Sequence, residues 1–575
     1  MAASSKLTRP FVASIVTGAL ALTSVALGAA GASAAAGPPG ANMAGTGSQP
    51  KGLGLASKAA LAQESCNENG RTSFVYVGTG PFCVNPWEAG KDNGGATAPG
   101  VTATDVKVVV YQPNQAMLSA QQDAGGQVPT NQATKERATV EQAFVDFTAV
   151  YDYAIETYGT YQLWGRKPVY EFVTATGTDE AAQRADALEV IARKPFMVYD
   201  ASNSVTGAEV FTATLAARKI VVASASTNSE SATKQRPYRW IPGQDPDAGA
   251  YLVASFLGQS LSGEKAKWAG DEAMASKPRS FGAVYPATGL DISVFEAKLK
   301  ENGSTPLADK VEYDNSDPAK YQEAAPTLIS RLKSAGVTTI VLFAEPAMVS
   351  ALMAAATNQD YAPEWIITGY LFHDFDGFAR GNDAEQMKHA FGVGVLPPSY
   401  EGSDSSTNVY QWYWGLTQGN YAAGITGGVG FVYQAIHYAG PNLTAKNIEK
   451  GLFAVPSTGG ASDGTTYFQT GFGKTVGVPY NEYALLGTDR NLAWWNPDIT
   501  GGANAVASFV GKGKFVYLDS GKRYAYQEFP TKQPKFFDSS ASVSEIPRSS
   551  NFADGVVPPD NPCTGCPVSG GGAAA

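Results

Sequence analysis

Histidine, cysteine and charge are all scarce in this chain. Its 575 residues include three histidines and four cysteines, and 16% of them are charged. The net charge is −10 and no run of lysine or arginine occurs, which removes any electrostatic basis for binding nucleic acid or anionic lipid. Apolar residues make up 44%, enough to build packed cores. Because one domain usually spans roughly 100 to 200 residues, we expect two or more folded units.

A long apolar run is also missing beyond the first segment, so we predict no membrane span. Lys6 and Arg9 precede an apolar stretch over 11–27, and small residues over 32–36 follow it. This order is typical of a Sec-type secretory signal peptide, here residues 1–36. The first cysteine is Cys66, too far along the chain to carry a lipid anchor. The mature protein is therefore predicted to be secreted or extracytoplasmic.

The four cysteines, Cys66, Cys83, Cys563 and Cys566, lie near the two ends of the chain. An oxidising compartment would pair them, and three connectivities are possible. Pairing Cys66 with Cys83 and Cys563 with Cys566 is favoured because short loops cost less entropy to close. A redox or zinc site at Cys563 and Cys566 is the alternative. No histidine lies nearby to complete a zinc site, and a redox pair usually opens a helix.

Signals for enzymatic chemistry are weak. The pentapeptide of a serine hydrolase occurs once, around Ser462, but turn-forming residues stand where its strand belongs. His373, Asp374 and Asp376 suggest either a metal cluster or a polar loop, and we favour the loop. His437 lies in an apolar helix and is interpreted as a packed histidine. The sequence thus predicts no catalytic residue, no metal and no cofactor. A secreted hydrolase that uses Asp374, Asp376 or Ser462 is a remote alternative.

Short apolar strands alternate with helices through most of the chain. The first series predicts strands over 106–111, 169–173, 196–199 and 220–223, with helices over 179–193 and 204–218. A second series predicts strands over 281–285, 311–313, 339–343 and 365–368, with helices over 318–335 and 346–358. A helix over 429–438, an N-cap at Thr444 and β-like pieces over 492–495 and 514–518 follow. Such alternation predicts an α/β fold with two mainly parallel sheets flanked by helices.

Two strand ends of the first series are rich in hydroxyl groups. Residues 200–204 read Asp-Ala-Ser-Asn-Ser, and residues 223–228 read Ala-Ser-Ala-Ser-Thr-Asn. Ligands of open α/β sheets sit at the carboxyl ends of strands, where hydroxyls and free backbone N–H groups suit a small carboxylate or amide. Alternatively, Ser202 or Ser204 is a helix N-cap and Ser226 with Thr227 forms a turn.

These segments resemble type 1 periplasmic binding proteins. The resemblance covers about residues 100–525 and rests on the order and spacing of the two serine-rich loops and of several short segments: 92–100, 100–108, 165–169, 317–321, 332–337 and 521–524. More narrowly, the chain resembles the substrate-binding subunits of ABC importers for branched-chain amino acids and amides, the Leu/Ile/Val-binding-protein group, in a long actinobacterial form.

The resemblance implies two lobes joined by three crossovers that close on a ligand by hinge motion. It places the first lobe at 101–243 and 373–480, and the second lobe at 244–372 with closing strands over 481–529. A flexible lead and a disulfide-bracketed extension would occupy 37–100. The tail over 530–575 is expected to be irregular.

The resemblance also implies a set of ligand-binding residues. Ser202, Ser204, Ser224, Ser226 and Thr227 would line the first lobe, with Ser226 and Thr227 in the loop that holds a ligand carboxylate. The second lobe would contribute Tyr285, Thr288, Glu345 and Tyr370. Thr288 stands where the family often has an aromatic residue, and Glu345 is either the partner of a ligand ammonium or a solvated residue before a helix. Tyr111, Trp164, Trp412 and Trp414 could widen the pocket, or belong to the core.

The function implied is a secreted solute-binding protein, not an enzyme. It would be a monomer that captures a small amino acid, amide or other carboxylate between the lobes and delivers it to ABC permease subunits. An extracellular sensor or scavenger of the same fold, without a permease, is the alternative.

Overall fold

The computed structural model describes residues 54–55, 57–67, 70–74, 78–117, 140–202, 208–224, 229–315, 320–400, 413, 422–461, 464–466, 468–473, 481–501 and 511–546. Several residues named above lie outside this part: those of the signal peptide, Ser204, Ser226, Thr227, Trp412, Trp414, Ser462, Cys563 and Cys566. None of the helices in the described ranges combines the length and the apolar character needed to cross a bilayer.

The strands follow one another in this order: β1 Arg71–Phe74, β2 Gly78–Phe82, β3 Asp105–Gln112, β4 Lys167–Thr174, β5 Met197–Asp200, β6 Val221–Ala223, β7 Arg239–Gln244, β8 Phe281–Pro286, β9 Asp309–Tyr313, β10 Thr339–Leu342, β11 Glu364–Ile367, β12 Ala390–Gly394, β13 Ser399–Tyr400, β14 Ala484–Leu486, β15 Asp489–Gly501, β16 Gly511–Leu518, β17 Arg523–Ala525, β18 Ser542–Val543 and β19 Glu545–Ile546. The strands expected from the apolar runs are present.

The helices are α1 Lys58–Leu61, α2 Val140–Tyr158, α3 Glu180–Ala192, α4 Glu209–Ala217, α5 Ser229–Lys234, α6 Pro246–Phe256, α7 Glu272–Ala275, α8 Ile292–Glu301, α9 Tyr321–Ser334, α10 Pro346–Asn358, α11 Asp376–Ala379, α12 Ala384–Met387, α13 Ala422–Ala439 and α14 Ala445–Ala454. A π-helical turn, Leu257–Leu261, continues α6. Thr444 is the N-cap of α14, as predicted, and accepts a hydrogen bond from the backbone N–H of Asn447.

The first sheet has six parallel strands in the order β14-β7-β6-β5-β3-β4. The central residues of β3, Val108, Val109 and Val110, are all fully buried. An unbroken apolar strand of this kind is expected where helices cover both faces of a parallel sheet.

The second sheet has nine strands. Its parallel part runs β9-β8-β10-β11-β12, and the antiparallel strands β15, β16 and β18 extend it, with β17 also paired to β15. Two mainly parallel sheets flanked by helices confirm the predicted α/β class.

Both sheets have the same doubly wound strand order. In each, the first strand of the series lies between the second and the third, so the order reverses between β3 and β5 in the first sheet and between β8 and β10 in the second. At such a reversal the helices before and after the first strand leave toward opposite faces of the sheet, which opens a crevice at the carboxyl ends of the strands. These two reversal points are the places where each sheet can hold a ligand.

Over the described ranges the chain crosses between the sheets three times: between β7 and β8, between β12 and β14, and between β14 and β15. The first crossing lies close to the expected boundary at 243. The other two crossings lie later than the expected boundaries after 372 and after 480. Strand β12 was expected in the first lobe but belongs to the second sheet, and β14 was expected in the second lobe but belongs to the first sheet.

The disulfide between Cys66 and Cys83 is present, as predicted. It anchors the hairpin β1–β2, which pairs Arg71 with Phe82. The hairpin also contacts the first lobe, because the hydroxyl of Tyr438 accepts a hydrogen bond from the backbone N–H of Phe82. His437 is a packed histidine, as interpreted, and burial lowers its pKa to about 4.

The segment over 530–546 is more ordered than expected for an irregular tail. Strand β18 extends the second sheet, and β19 pairs with β13. Phe536 is buried against Phe391 and Trp268, at ring centroid distances of 4.8 and 5.4 Å. Burial of aromatic side chains therefore fixes a stretch whose serine and proline content indicates a loop.

Candidate ligand-binding site

A buried carboxylate organises the reversal point of the first sheet. Asp200 ends β5 with no exposed surface, and three groups donate to it: the backbone N–H of Ser202 at 3.0 Å, the Ser202 hydroxyl at 2.6 Å and the Ser224 hydroxyl at 2.7 Å. Burial raises the pKa of Asp200 to about 6, and these hydrogen bonds partly oppose the rise. Two of the predicted site serines thus meet on one carboxylate.

This arrangement decides what Ser202 can offer a ligand. A serine hydroxyl has one proton to donate and two lone pairs that accept. With its proton directed to Asp200, Ser202 can only accept from a ligand, whereas the sequence suggested a donor to a carboxylate. Ser202 is also not the N-cap of the following helix, because Ala208 occupies that position in α4.

Replacing Ser202 by alanine is expected to destabilise the protein by about 1.5 to 3 kcal/mol at pH 7.5 and by less than half of that at pH 4.5. The folded pKa of Asp200 is raised above its ordinary value of 3.8, so this group lowers the stability of the folded state as the pH rises from 3.8 to about 6, and the full penalty is present above that range. Without the Ser202 hydroxyl, the free-energy cost of burying ionised Asp200 becomes larger, and this happens only at a pH where Asp200 is charged. Melting temperatures at the two pH values measure the effect.

Ser293→Ala is the matched control, because Ser293 donates to Asp291 two residues before it with the same geometry, but on the exposed surface. Its cost should stay below about 0.5 kcal/mol at both pH values. An equal loss for Ser202→Ala at both pH values would contradict a role in holding the charged Asp200.

At the reversal point of the second sheet, Glu345 follows β10 and is half-buried. The hydroxyls of Tyr313, at the end of β9, and Tyr321, at the start of α9, both donate to its carboxylate. Burial raises the pKa of Glu345, while the two hydroxyls lower it in part. Glu345 precedes α10, as the solvated alternative had it, but its side chain is only partly exposed. The side chain is held in place by two tyrosines.

Tyr370 lies beside this group on a strained turn. Gly369, Leu371 and Phe372 all have left-handed backbone angles, with φ of 72°, 46° and 59°. His373 holds the turn, since its Nε2 accepts from the backbone N–H groups of Thr368 at 2.8 Å and Gly369 at 3.0 Å. Non-glycine residues with positive φ cost free energy and concentrate where function requires them.

Tyr370 is electrostatically coupled to two carboxylates. Burial raises its pKa most, and the charges of Glu345 and of Asp247, at the start of α6, raise it further. Its hydroxyl also faces the backbone at Gly289, because a Cβ there would lie 3.8 Å from the hydroxyl oxygen. The hydroxyl therefore sits between the ends of β8, β10 and β11.

The two remaining predicted residues lie farther from this group. Tyr285 is next to Glu312, its register partner on the edge strand β9, and burial followed by the charge of Glu312 raises its pKa. Thr288 is exposed and hydrogen-bonded with Asn315, which accepts from its N–H at 3.2 Å and from its hydroxyl at 3.1 Å. Both flank the reversal point of the second sheet.

The first crossing brings the two sheet edges together. Asp245, directly after β7, caps α6 by accepting from the backbone N–H groups of Asp247 and Ala248, both at 3.2 Å. It also accepts from the backbone N–H of Ser229, the first residue after the loop that contains Ser226 and Thr227. The crossing thus places Ser229, the first residue of α5, next to the start of α6.

The other candidate residues belong to the framework. Asp374 accepts from the backbone N–H groups of Val395 at 2.6 Å and Leu396 at 2.8 Å, and Asp376 accepts from that of Phe515 at 2.8 Å. These hydrogen bonds attach Asp374 to the residues that follow β12 and Asp376 to β16, so both carboxylates have backbone partners. No group of three or more metal-ligating side chains converges within the described ranges.

The two aromatic residues proposed for a wider pocket and described by the structure are core residues. Tyr111 is 1% exposed, stacks on Phe211 and donates to Asp186 at 2.6 Å. Trp164 is 2% exposed and donates to the backbone carbonyls at the end of α13. Sequence reasoning missed four site residues, Asp200, Asp247, Tyr313 and Tyr321, of which only Asp200 stood in a loop already selected.

No family model and no curated protein matches this chain. Among solved structures, it is similar to a leucine-, isoleucine-, valine-, threonine- and alanine-binding protein from Brucella ovis in its closed conformation, at 12% identity and a TM-score of 0.48, over 77% of this chain and 100% of that one. It is also similar to an ABC-transporter solute-binding protein from Rhodopseudomonas palustris BisB5 in complex with 3,4-dihydroxybenzoic acid, at 11% identity and a TM-score of 0.46, over 73% and 96%.

A fatty acid ABC transporter substrate-binding protein from Thermomonospora curvata is similar at 12% identity and a TM-score of 0.45, over 76% of this chain and 97% of that one. All three likenesses are distant, so the ligand of this chain has to be argued from its own residues.

Proposed function

We propose that this protein is an extracytoplasmic solute-binding protein that holds a small organic ligand between its two sheets. One observation carries the proposal. Both sheets have the doubly wound order, and polar groups occupy the reversal point of each, with Asp200 and its serines on one side and Glu345 with its tyrosines on the other. Two half-sites joined by three crossings form a ligand site that can open and close.

Binding would work by a population shift. The three crossings act as the hinge, and a ligand that contacts both reversal points favours the closed state by the free energy of those added contacts. The loop over 225–228, with Ser226 and Thr227, is the proposed site for a ligand carboxylate or amide. Glu345 and Tyr370 are the proposed contacts on the opposite side. Ser204 would join Ser202 on the first side.

Delivery to ABC permease subunits is the proposed use of the closed state, with no cofactor and a monomeric protein. A signal peptide over residues 1–36 is part of the same proposal. An extracellular sensor or scavenger would share the site and lack the permease, and genes for permease and ATPase subunits next to this one would separate the two.

Thermal melting of the mature protein against amino acids, amides, short acids, aromatic acids and amines tests the proposal. A ligand at about 100 times its dissociation constant adds about 2.7 kcal/mol of stability, which raises the melting temperature. Thr227→Ala should then weaken binding of the identified ligand about 5- to 100-fold, as expected for loss of a hydrogen bond to a charged group. Thr214→Ala, in the middle of α4, is the control and should leave the affinity unchanged. No stabilisation across the panel would refute the proposed function.

A further inference from the structure

Asp247 has an unusual position in the first turn of α6. It is 9% exposed, and its Oδ1 is buried with no hydrogen-bond partner among the described residues. A backbone hydrogen bond from Asp291 reaches the carboxyl group, but this accounts for only part of its capacity to accept. Asp247 is therefore an unsatisfied buried acceptor where the first crossing enters the second sheet.

The largest charge effects on Asp247 come from acids on both sides of the crossing. Asp245 precedes it, Asp291 begins α8 on the second sheet, and Glu230 lies in α5 on the first sheet. The charges of Glu345 and Asp247 both raise the pKa of Tyr370. Burial, followed by repulsion from Asp245, raises the pKa of Asp247 to about 7.

A carboxylate in this setting is costly unless a positive group compensates it. A bound metal ion would require several converging ligands, and the described part of the chain contains no such group. The start of α6 stabilises negative charge through its dipole, which lowers the cost of an ionised carboxylate there without removing it. A single cation that arrives with the ligand would supply the missing partner.

We propose that Asp247 is a specificity-determining residue that accepts a hydrogen bond from a protonated amine of the ligand. The amine would lie at the start of α6, next to the Tyr370 hydroxyl, and Glu345 would add to the negative potential there. This inference rests on the proposed function and narrows it from small carboxylates in general to ligands that carry an amine.

Paired probes that differ only in the amine test the inference. L-phenylalanine is compared with 3-phenylpropanoate, and L-leucine with 4-methylpentanoate, by melting shift and by calorimetric titration. In the unaltered protein, at least one amine-bearing member should bind tenfold or more tightly than its partner. Asp247→Asn should reduce that difference to less than threefold, while its melting temperature without ligand stays equal or rises.

Asp291→Asn is the matched control, because it also removes one negative charge near α6 but keeps a side-chain oxygen for its exposed N-cap. It should preserve the difference within threefold. If Asp247→Asn keeps the full difference, or if acids without an amine bind the unaltered protein as well as their partners do, the inference fails and the proposed function stands. If nothing in the wider panel or among these probes binds, both fail.

Discussion

Replacing Arg279 by methionine is expected to destabilise the protein by about 3 to 5 kcal/mol, the cost of breaking a buried ion pair from one side. Arg279 and Glu364 have fully buried side chains joined by two hydrogen bonds, Nε to Oε2 at 2.7 Å and Nη2 to Oε1 at 2.9 Å. Glu364 begins β11, in the middle of the second sheet, and also accepts from Thr339 at 2.7 Å. Without Arg279 its charge would be left in the core.

Urea unfolding followed by circular dichroism measures this cost. Arg331→Met is the control, because Arg331 pairs with Asp309 at 2.6 Å with more than half of its side chain exposed, and its loss should cost less than about 1 kcal/mol. The double variant Arg279→Met with Glu364→Met should recover much of the stability, since removing both charges avoids an unpaired one. A loss below about 1 kcal/mol for Arg279→Met alone would contradict the expected cost of leaving Glu364 without its partner.

The sequence predicts the fold where hydrophobicity is local and continuous. Strand β3 is identifiable because its valines form an unbroken apolar run, whereas β12, Ala390–Gly394, contains two glycines and reads as a loop. Gly392 is required there by packing: a Cβ at this position would lie 2.2 Å from the carbonyl oxygen of Ile367 on β11. Because β12 was not predicted, the expected lobe boundary after 372 lies before the second crossing, which follows this strand.

The site was predictable only in part. Loops after parallel strands meet at one sheet edge, so Ser202 and Ser224 could be selected from strand order, and Glu345 from the family resemblance. Their hydrogen-bond partners are set by tertiary contacts: Tyr313 reaches Glu345 across 32 residues, and Ser224 reaches Asp200 across 24. No local pattern marks such pairs. Asp247 was missed for a related reason, since its lack of a partner is a property of the folded molecule.

Replacing Arg523 by methionine is expected to destabilise the protein by about 3 to 5 kcal/mol and to weaken ligand binding, because Arg523 ties two of the three crossings together. Its Nε donates a hydrogen bond to Oδ1 of Asp489 at 2.9 Å, and both side chains are at most 3% exposed. Asp489 lies directly after the third crossing. The Nη1 of Arg523 donates to the carbonyl of Val395, where the second crossing begins, at 2.9 Å. Asp489 also accepts from the backbone N–H of Ala461 at 2.9 Å.

Calorimetric unfolding and ligand titration of the same variant separate the two effects. Lys522→Met, on the neighbouring exposed residue, is the control and should cost less than about 1 kcal/mol without changing the affinity. If Arg523 positions the crossings, its loss makes the closed state less populated before binding, so the apparent affinity falls in proportion to that population. If closure of the lobes drives binding, the affinity has to depend on the position of the crossings. A variant that loses stability but binds the ligand with unchanged affinity would therefore show that Arg523 stabilises the fold without positioning the crossings for closure.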